Sequence, residues 1–86
     1  MYAIEIAPAA LKSLEKIAKS NRTISDRLVA AIDHLKDEPD AGKSLVGDMK
    51  PLRSLRVGDY RIIYRIFRDT ILIKVIAIGH RRDVYR

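Results

Sequence analysis

The apolar segment 71–78 constrains the fold of this chain more than any other feature. Lys74 is its one polar residue, and β-branched residues dominate the rest. The segment is far shorter than the ~20 apolar residues that a membrane-spanning helix requires. Nearly continuous apolarity over this length is typical of a buried strand. We therefore expect a central strand that is either covered on both faces or flanked by neighbouring strands.

Two amphipathic helices are predicted before this strand. Pro8 suits the first turn of the first helix, which we expect to end near Lys19. Thr23 and Asp26 have the spacing of a capping box for the second helix, which Pro39 terminates. In both helices apolar residues recur every three or four positions and so form one stripe. These positions are Leu11, Leu14, Ile17 and Ala18 in the first helix and Ile24, Leu28, Ala31, Ile32 and Leu35 in the second.

Alternating apolar residues predict further strands. The Gly58-Asp59 pair has the composition of a hairpin turn, and residues 68–70 form a second tight connection. We expect strands over residues 2–6, 52–57, 60–67 and 71–78, and a short last strand that contains Tyr85. The order is then β-α-α-β-β-β-β, an α+β fold in which two helices cover one face of an antiparallel sheet. Residues 39–50 are predicted to be a loop within one domain, 1–86.

Composition narrows the possible functions. A chain of 86 residues makes one small domain. It has no cysteine and only two separated histidines, so we expect no metal centre and no cofactor. Residues 1–6 carry Glu5 and lack the basic start of a signal peptide, which predicts a cytoplasmic protein without a membrane partner.

Positive charge is concentrated in the second half of the chain. Residues 1–43 hold seven Lys or Arg and seven Asp or Glu, whereas residues 44–86 hold ten and four. Such asymmetry is typical of a surface that binds a polyanion, and nucleic acid is the favoured partner. Solubility or the docking of an acidic protein segment are the alternative explanations.

A dense polar cluster, residues 79–86, follows the central strand directly. It contains one histidine, three arginines and one tyrosine. If the helices cover the face of Tyr60 and Ile62, alternation places Arg61 on the open face, where Arg56 and Arg81 approach it from neighbouring strands. Guanidinium groups bind phosphate oxygens bidentately, so this set has the composition of a phosphate clamp. The alternative is a set of solvated charges.

Two motifs resemble signatures of the RelE/ParE toxin superfamily. They are LRVGDYRIIY at residues 55–64 and IGHRRDVY at residues 78–85. The resemblance extends over nearly the whole chain and implies a RelE-like, microbial-ribonuclease-like fold. It also implies the toxin of a type II toxin–antitoxin system. Its RelE branch consists of metal-independent, ribosome-dependent endoribonucleases, or mRNA interferases, which cleave messenger RNA and inhibit translation.

The same resemblance implies partners and site residues. The partners are a cognate antitoxin, the ribosome with its messenger RNA, and operon DNA only through the antitoxin complex. By motif position, Arg61 corresponds to the arginine that stabilises the transition state, Arg81 to the arginine at the leaving oxygen, and Tyr85 to the tyrosine that handles the attacking 2′-hydroxyl. The expected RNA-binding residues are Lys50, Arg53, Arg56, His80 and Arg82.

The general base is left open by the sequence. Ser54 occupies a position that is basic in some active family members. The candidates for the base are His80, Tyr85, or one of the basic residues Lys50, Arg53 and Arg56. Histidine titrates near neutrality, whereas tyrosine, with an unperturbed pKa of ~10, needs cationic neighbours or has only an orienting role.

Two other functions are compatible with the same resemblance. One is a ParE-like inhibitor of DNA gyrase, which does not need the set Arg61, Arg81 and Tyr85. The other is a catalytically inactive family member that binds an antitoxin and represses its own operon, because the missing strand lysine is compatible with lost activity.

Overall fold

The computed structural model describes residues 1–45 and 51–82. Lys50 and Tyr85 of the predicted site, and the predicted last strand, lie outside the described residues. The described part of the chain contains two helices and five strands. In chain order these are β1 Ala3–Ile6, α1 Pro8–Ser20, α2 Arg22–His34, β2 Lys43–Ser44, β3 Arg53–Val57, β4 Tyr60–Phe67 and β5 Leu72–His80.

The strands form one sheet in the order β1-β5-β4-β3-β2. The apolar strand β5 therefore lies between two neighbours, as predicted. The pairs β2–β3, β3–β4 and β4–β5 are antiparallel, but β1 pairs with β5 in parallel. The α+β class is confirmed, whereas the expectation of a purely antiparallel sheet is wrong. Alternation of apolar residues reveals which face a side chain occupies but not the direction of the strand.

The strand β2 lies inside the segment that we expected to be a loop. Lys43 is opposite Ser54 and Ser44 is opposite Arg53, so β2 extends the sheet beyond β3. Both side chains of β2 are exposed. A two-residue strand without a buried side chain has no apolar alternation, which is why the sequence pattern did not indicate it.

Both helices pack on the same face of the sheet. α1 lies over β5, and α2 lies towards β3. The side chains of Ile62, Tyr64, Ile73 and Val75 are fully buried beneath them. Tyr60 and Ile66 pack against the same core, so the predicted division of β4 into a helix-side set and an open-side set is confirmed. Burial of each large aliphatic side chain contributes roughly 1.5–3 kcal/mol.

One residue, Asn21, joins the two helices and caps both of them. Its backbone N–H donates to the carbonyl of Ile17 at 2.7 Å, at the end of α1. Its side-chain Oδ1 accepts the N–H of Ile24 at 3.1 Å, at the start of α2. The predicted capping box of Thr23 and Asp26 is therefore wrong. Thr23 already lies within the helix, whereas Asn21 has the extended backbone of an N-cap.

Replacement of the cap tests this assignment. Asn21→Ala is expected to lower the free energy of unfolding by about 1 kcal/mol, because the N–H of Ile24 loses its acceptor. Thr23→Ala is the matched control and is expected to change it by less than about 0.5 kcal/mol. Urea denaturation followed by circular dichroism measures both. A larger loss in the threonine variant would contradict the Asn21 cap.

Candidate active site

Two arginines face each other on the side of the sheet that the helices leave open. Arg56 of β3 is directly opposite Arg61 of β4, and Gly79 of β5 is opposite Arg61 on its other side. Both arginines alternate with core residues and so point away from the helices. Because Gly79 lacks a side chain, β5 contributes no group beside Arg61 at this level of the sheet.

A cavity of about 280 Å³ lies beside these arginines. Its charged lining residues are all cations, namely Lys43, Arg56 and Arg61, and the remainder of its lining is Ala41, Ser54 and Leu55. An anionic group that enters this cavity meets positive charge from three strands. The arrangement suits a phosphate, because guanidinium and ammonium donors match its oxygens.

Arg61 has one side-chain donor that the described part of the protein leaves unpaired. Its Nε is buried and has no hydrogen-bond partner within residues 1–45 and 51–82. An unpaired buried donor costs about 1–3 kcal/mol, so most such groups in folded proteins are paired. Arg56 differs, because its Nε donates to the carbonyl of Gly58 at 3.0 Å. The Nε–H of Arg61 is therefore a donor that no described residue uses.

Arg81 lies at the same end of the sheet as Arg61. Its backbone N–H donates to the carbonyl of Asp59 at 2.8 Å, which continues the pairing of β4 with β5 past Gly79. The turn that supplies this carbonyl depends on Gly58, whose φ of 61° favours glycine. Arg81 and Arg82 are exposed. The bond to Asp59, two residues before Arg61, thus fixes the backbone of Arg81 at this end of the sheet.

His80 lies on the opposite face of the sheet from Arg61. It is paired with Tyr60, and the two rings meet edge to face with centroids 5.7 Å apart. Both line a cavity of about 350 Å³ with Lys16 and Ile17 of α1. The Nδ1 atom of His80 accepts the N–H of Arg82 at 3.3 Å. This placement removes the support for His80 as a base beside Arg61.

Arg53, which we expected to bind RNA, is occupied by contacts within the protein. Its guanidinium donates to the carbonyl of Gly42 from Nε at 3.1 Å and from a terminal nitrogen at 2.6 Å. It also donates to the hydroxyl of Ser44 at 2.9 Å and lies 3.7 Å from the carboxylate of Asp40. Arg53 therefore fixes the segment that precedes and forms β2. The other partner of Asp40 is Arg68, whose pKa is raised by this hydrogen bond.

The fully buried Tyr64 holds the same segment from beneath. Its hydroxyl donates to the carbonyl of Pro39 at 2.7 Å and accepts the N–H of Gly42 at 2.9 Å. A Cβ atom at Gly42 would lie 2.8 Å from the carbonyl oxygen of Ser54 and from the hydroxyl of Tyr64. Glycine is thus required here by close packing. Tyr64 thus acts as a core residue.

Lys43 is the site residue that sequence reasoning missed. It lies in the predicted loop, and only the pairing of β2 with β3 brings it to the cavity of Arg61. Its sole sequence signal was its positive charge. Among the described residues, no three histidine, aspartate or glutamate side chains group as metal ligands do. Nor is any helix in these two stretches long and apolar enough to cross a membrane.

A two-helix layer on one face of a mixed five-stranded sheet is the fold of the small RelE-like α+β toxins. Residues 4–85 match the family described as the ParE toxin of the type II toxin–antitoxin system parDE. The chain belongs to this family, and with it to the RelE/ParE toxin superfamily, which confirms the resemblance of the two motifs.

Similar proteins support this assignment over most of their length. Toxin RelG of Mycobacterium tuberculosis is 29% identical over 86 residues, which cover 99% of this chain and 97% of RelG. The structure of the RelBE2 toxin–antitoxin complex from the same organism has a chain with a TM-score of 0.83 and 27% identity, over 93% of this chain and 98% of the other. Isolated RelE of E. coli shares the fold, with a TM-score of 0.77 and 23% identity over 93% and 84% of the two chains.

The two arginines Arg61 and Arg53 are expected to respond in opposite ways to replacement by methionine. Arg61→Met removes an unpaired buried donor and one of three neighbouring cations, so the free energy of unfolding should stay unchanged or rise by up to about 1 kcal/mol. Arg53→Met breaks several hydrogen bonds and should lower it by about 2–4 kcal/mol. Urea denaturation of both variants checks this.

Added salt provides the control for the charge argument. Screening of the cations should stabilise the wild type more than Arg61→Met, since the variant has less repulsion to screen. A marked loss of stability in Arg61→Met would contradict the description of Arg61 as a ligand-binding residue without a structural role.

Proposed function

We propose that this toxin is a ribosome-dependent endoribonuclease that cleaves messenger RNA and so inhibits translation. The observation that carries the proposal is the buried Nε of Arg61, which no described residue pairs, beside a cavity lined by three cations. The described residues of this chain leave that donor without a partner, and a phosphodiester is the anion that RNA supplies. The family membership shows a type II toxin, and the proposed RNA substrate rests on the cavity.

The proposed reaction is an attack of the ribose 2′-oxygen on the adjacent phosphorus. A 2′-oxygen–phosphorus bond forms, the bond from phosphorus to the 5′-oxygen breaks, and a 2′,3′-cyclic phosphate and a 5′-hydroxyl result. Negative charge grows on the nonbridging oxygens in the transition state, and preorganised donors stabilise it strongly. Arg61 binds these oxygens, Arg81 acts at the leaving 5′-oxygen, and Tyr85 handles the 2′-hydroxyl.

The proton acceptor is not His80 in this proposal, because His80 packs against Tyr60 on the other face. Arg53 is excluded as well, since its guanidinium is bonded to Gly42 and Ser44. The site then has no strong base near Arg61 among the described residues. Orientation of the message by the ribosome compensates, so free RNA should be a poor substrate.

A cognate antitoxin is the proposed protein partner. Related toxins occur with theirs in the RelBE2 complex of M. tuberculosis and the RelE–RelB complex of Pyrococcus horikoshii. The basic open face, with Arg56, Arg61 and Lys43, offers electrostatic attraction to an acidic segment of such a partner. Operon DNA is then contacted through the antitoxin complex, and the toxin acts in the cytoplasm.

Inhibition of DNA gyrase is the second candidate, because the matching family is described by the parDE system. An inhibitor that binds gyrase by its surface does not require an unpaired Arg61 in a cavity. Two assays of the purified protein distinguish these functions. One measures cleavage of messenger RNA on ribosomes, and the other measures inhibition of gyrase supercoiling.

Cleavage of a message on programmed ribosomes tests the nuclease proposal. Wild-type protein should cut in the decoding-site codon, and Arg61→Ala and Arg81→Ala should each slow the cut by about 10²-fold or more, because each removes a donor to the transition state. Arg22→Ala is the matched control, since Arg22 is an exposed arginine on α2 whose one ion pair within residues 1–45 and 51–82 is with Asp26. Circular dichroism verifies that each variant is folded.

Three results would contradict all or part of this proposal. Equal cleavage by the wild type and both site variants would show that these arginines do not act on the phosphate. Intact messages together with blocked gyrase supercoiling would favour the second candidate. Intact messages and active gyrase would favour an inactive member that only binds its antitoxin.

A further inference from the structure

We propose that Lys43 is a third phosphate-binding cation of the cavity that contains Arg61, and that Tyr64 and Arg53 are positioning residues for it. The inference rests on the proposed nuclease function and deepens it, because it adds a residue from outside the two sequence motifs. Lys43 binds a nonbridging oxygen of the phosphate in the cavity.

The register of the sheet puts Lys43 on the correct face. Lys43 is opposite Ser54, and Ser54 is opposite Ile63, two residues from Arg61 on the same side of β4. The helix side of β3 is taken by Leu55 and Val57, so Ser54 and its neighbour in β2 point to the open face. Lys43 consequently lines one cavity with Arg56 and Arg61.

Lys43 is also chemically free to bind an anion. Its side chain is exposed and makes no ion pair or hydrogen bond to any other described residue. At the same level of the sheet, β3 contributes the short, uncharged side chain of Ser54. The ammonium of Lys43 on β2 therefore supplies the positive charge that β3 lacks at Ser54. A compact ammonium acts as a point charge for a phosphate oxygen.

The backbone on both sides of Lys43 is fixed. Gly42 donates its N–H to the hydroxyl of Tyr64, and its carbonyl accepts two hydrogen bonds from Arg53. On the other side, the hydroxyl of Ser44 accepts a further bond from Arg53. An exposed lysine that serves only solubility needs no such support. Fixing both neighbours lowers the entropy that Lys43 loses when it orders on a ligand.

Variants at Lys43 test the role of its charge. Lys43→Met is expected to slow cleavage on programmed ribosomes by about 10- to 100-fold, because one of the phosphate donors is lost. Lys43→Arg should retain most of the activity. Lys12→Met is the matched control on the exposed side of α1 and should cut at the wild-type rate.

The salt dependence of RNA binding gives an independent measurement. Binding of a short single-stranded RNA oligonucleotide is followed by fluorescence anisotropy at several salt concentrations. Loss of one phosphate contact should reduce the slope of log affinity against log salt by about one in Lys43→Met, and by nothing in Lys12→Met.

The combined measurements distinguish the two proposals. If the wild type cuts, Arg61→Ala does not, and Lys43→Met keeps both its rate and its salt slope, the inference about Lys43 is overturned while the nuclease function stands. If the wild type does not cut but Lys43→Met still loses the slope, the nuclease proposal fails and the phosphate-binding role of Lys43 is supported. An inactive wild type with identical slopes overturns both.

The positioning role of Tyr64 is tested by a double-mutant comparison. At temperatures well below the unfolding temperature of the variant, Tyr64→Phe should cleave more slowly than the wild type. The double variant Tyr64→Phe/Lys43→Met should cleave no more slowly than Lys43→Met alone. A merely structural role predicts lower stability with unchanged cleavage, or independent losses that multiply in the double variant. Either of these results would overturn the assignment of Tyr64 as a positioning residue.

Discussion

The hydroxyl of Tyr64 connects the buried core to the surface segment that follows α2. Its ring is fully buried between the sheet and the helices, and its oxygen bonds to Pro39 and Gly42 in the segment that follows α2. A buried hydroxyl that both donates and accepts adds about 1 kcal/mol per bond, but an unmet partner would cost more. The core therefore determines the position of a surface segment, and that segment carries Lys43 to the cavity.

Alternate side chains of strand β4 face the core and the cavity, so stability and function depend on different residues of the same strand. Its residues beneath the helices, Ile62 and Tyr64, hold the core together. Arg61, which precedes Ile62, faces the opposite side with a donor that no described residue satisfies. A strand with one face covered can carry charge on the other face at little cost to packing. The unmet donor is a local loss of stability, which is common at sites that are shaped for a ligand.

The sequence predicted those features that depend on local periodicity. It indicated both helices, the Gly58 turn, and the face of Arg61. It did not indicate the direction of β1, the strand β2, or the Asn21 cap, because these depend on pairing and on backbone geometry. A bulge illustrates the limit: Ile63 pairs with Ala77 but Tyr64 pairs with Val75, so Ile76 is an extra residue in β5. Continuous apolarity concealed it. The strand register also determines that His80 and Arg61 lie on different faces of the sheet. The catalytic and RNA-binding roles of the site residues stay predictions.

The parallel pairing of β1 with β5 has a consequence for synthesis. Ala3–Ile6 pairs with Leu72–Val75, so the first strand that the ribosome makes finds its partner only when almost all of the domain has been translated. Contacts this distant in sequence close late and slow the folding of a small domain. Arg61 and Lys43 are brought into one cavity by the same sheet. The five-stranded sheet that holds this cavity is thus complete only after β5 has been translated and has docked between β1 and β4.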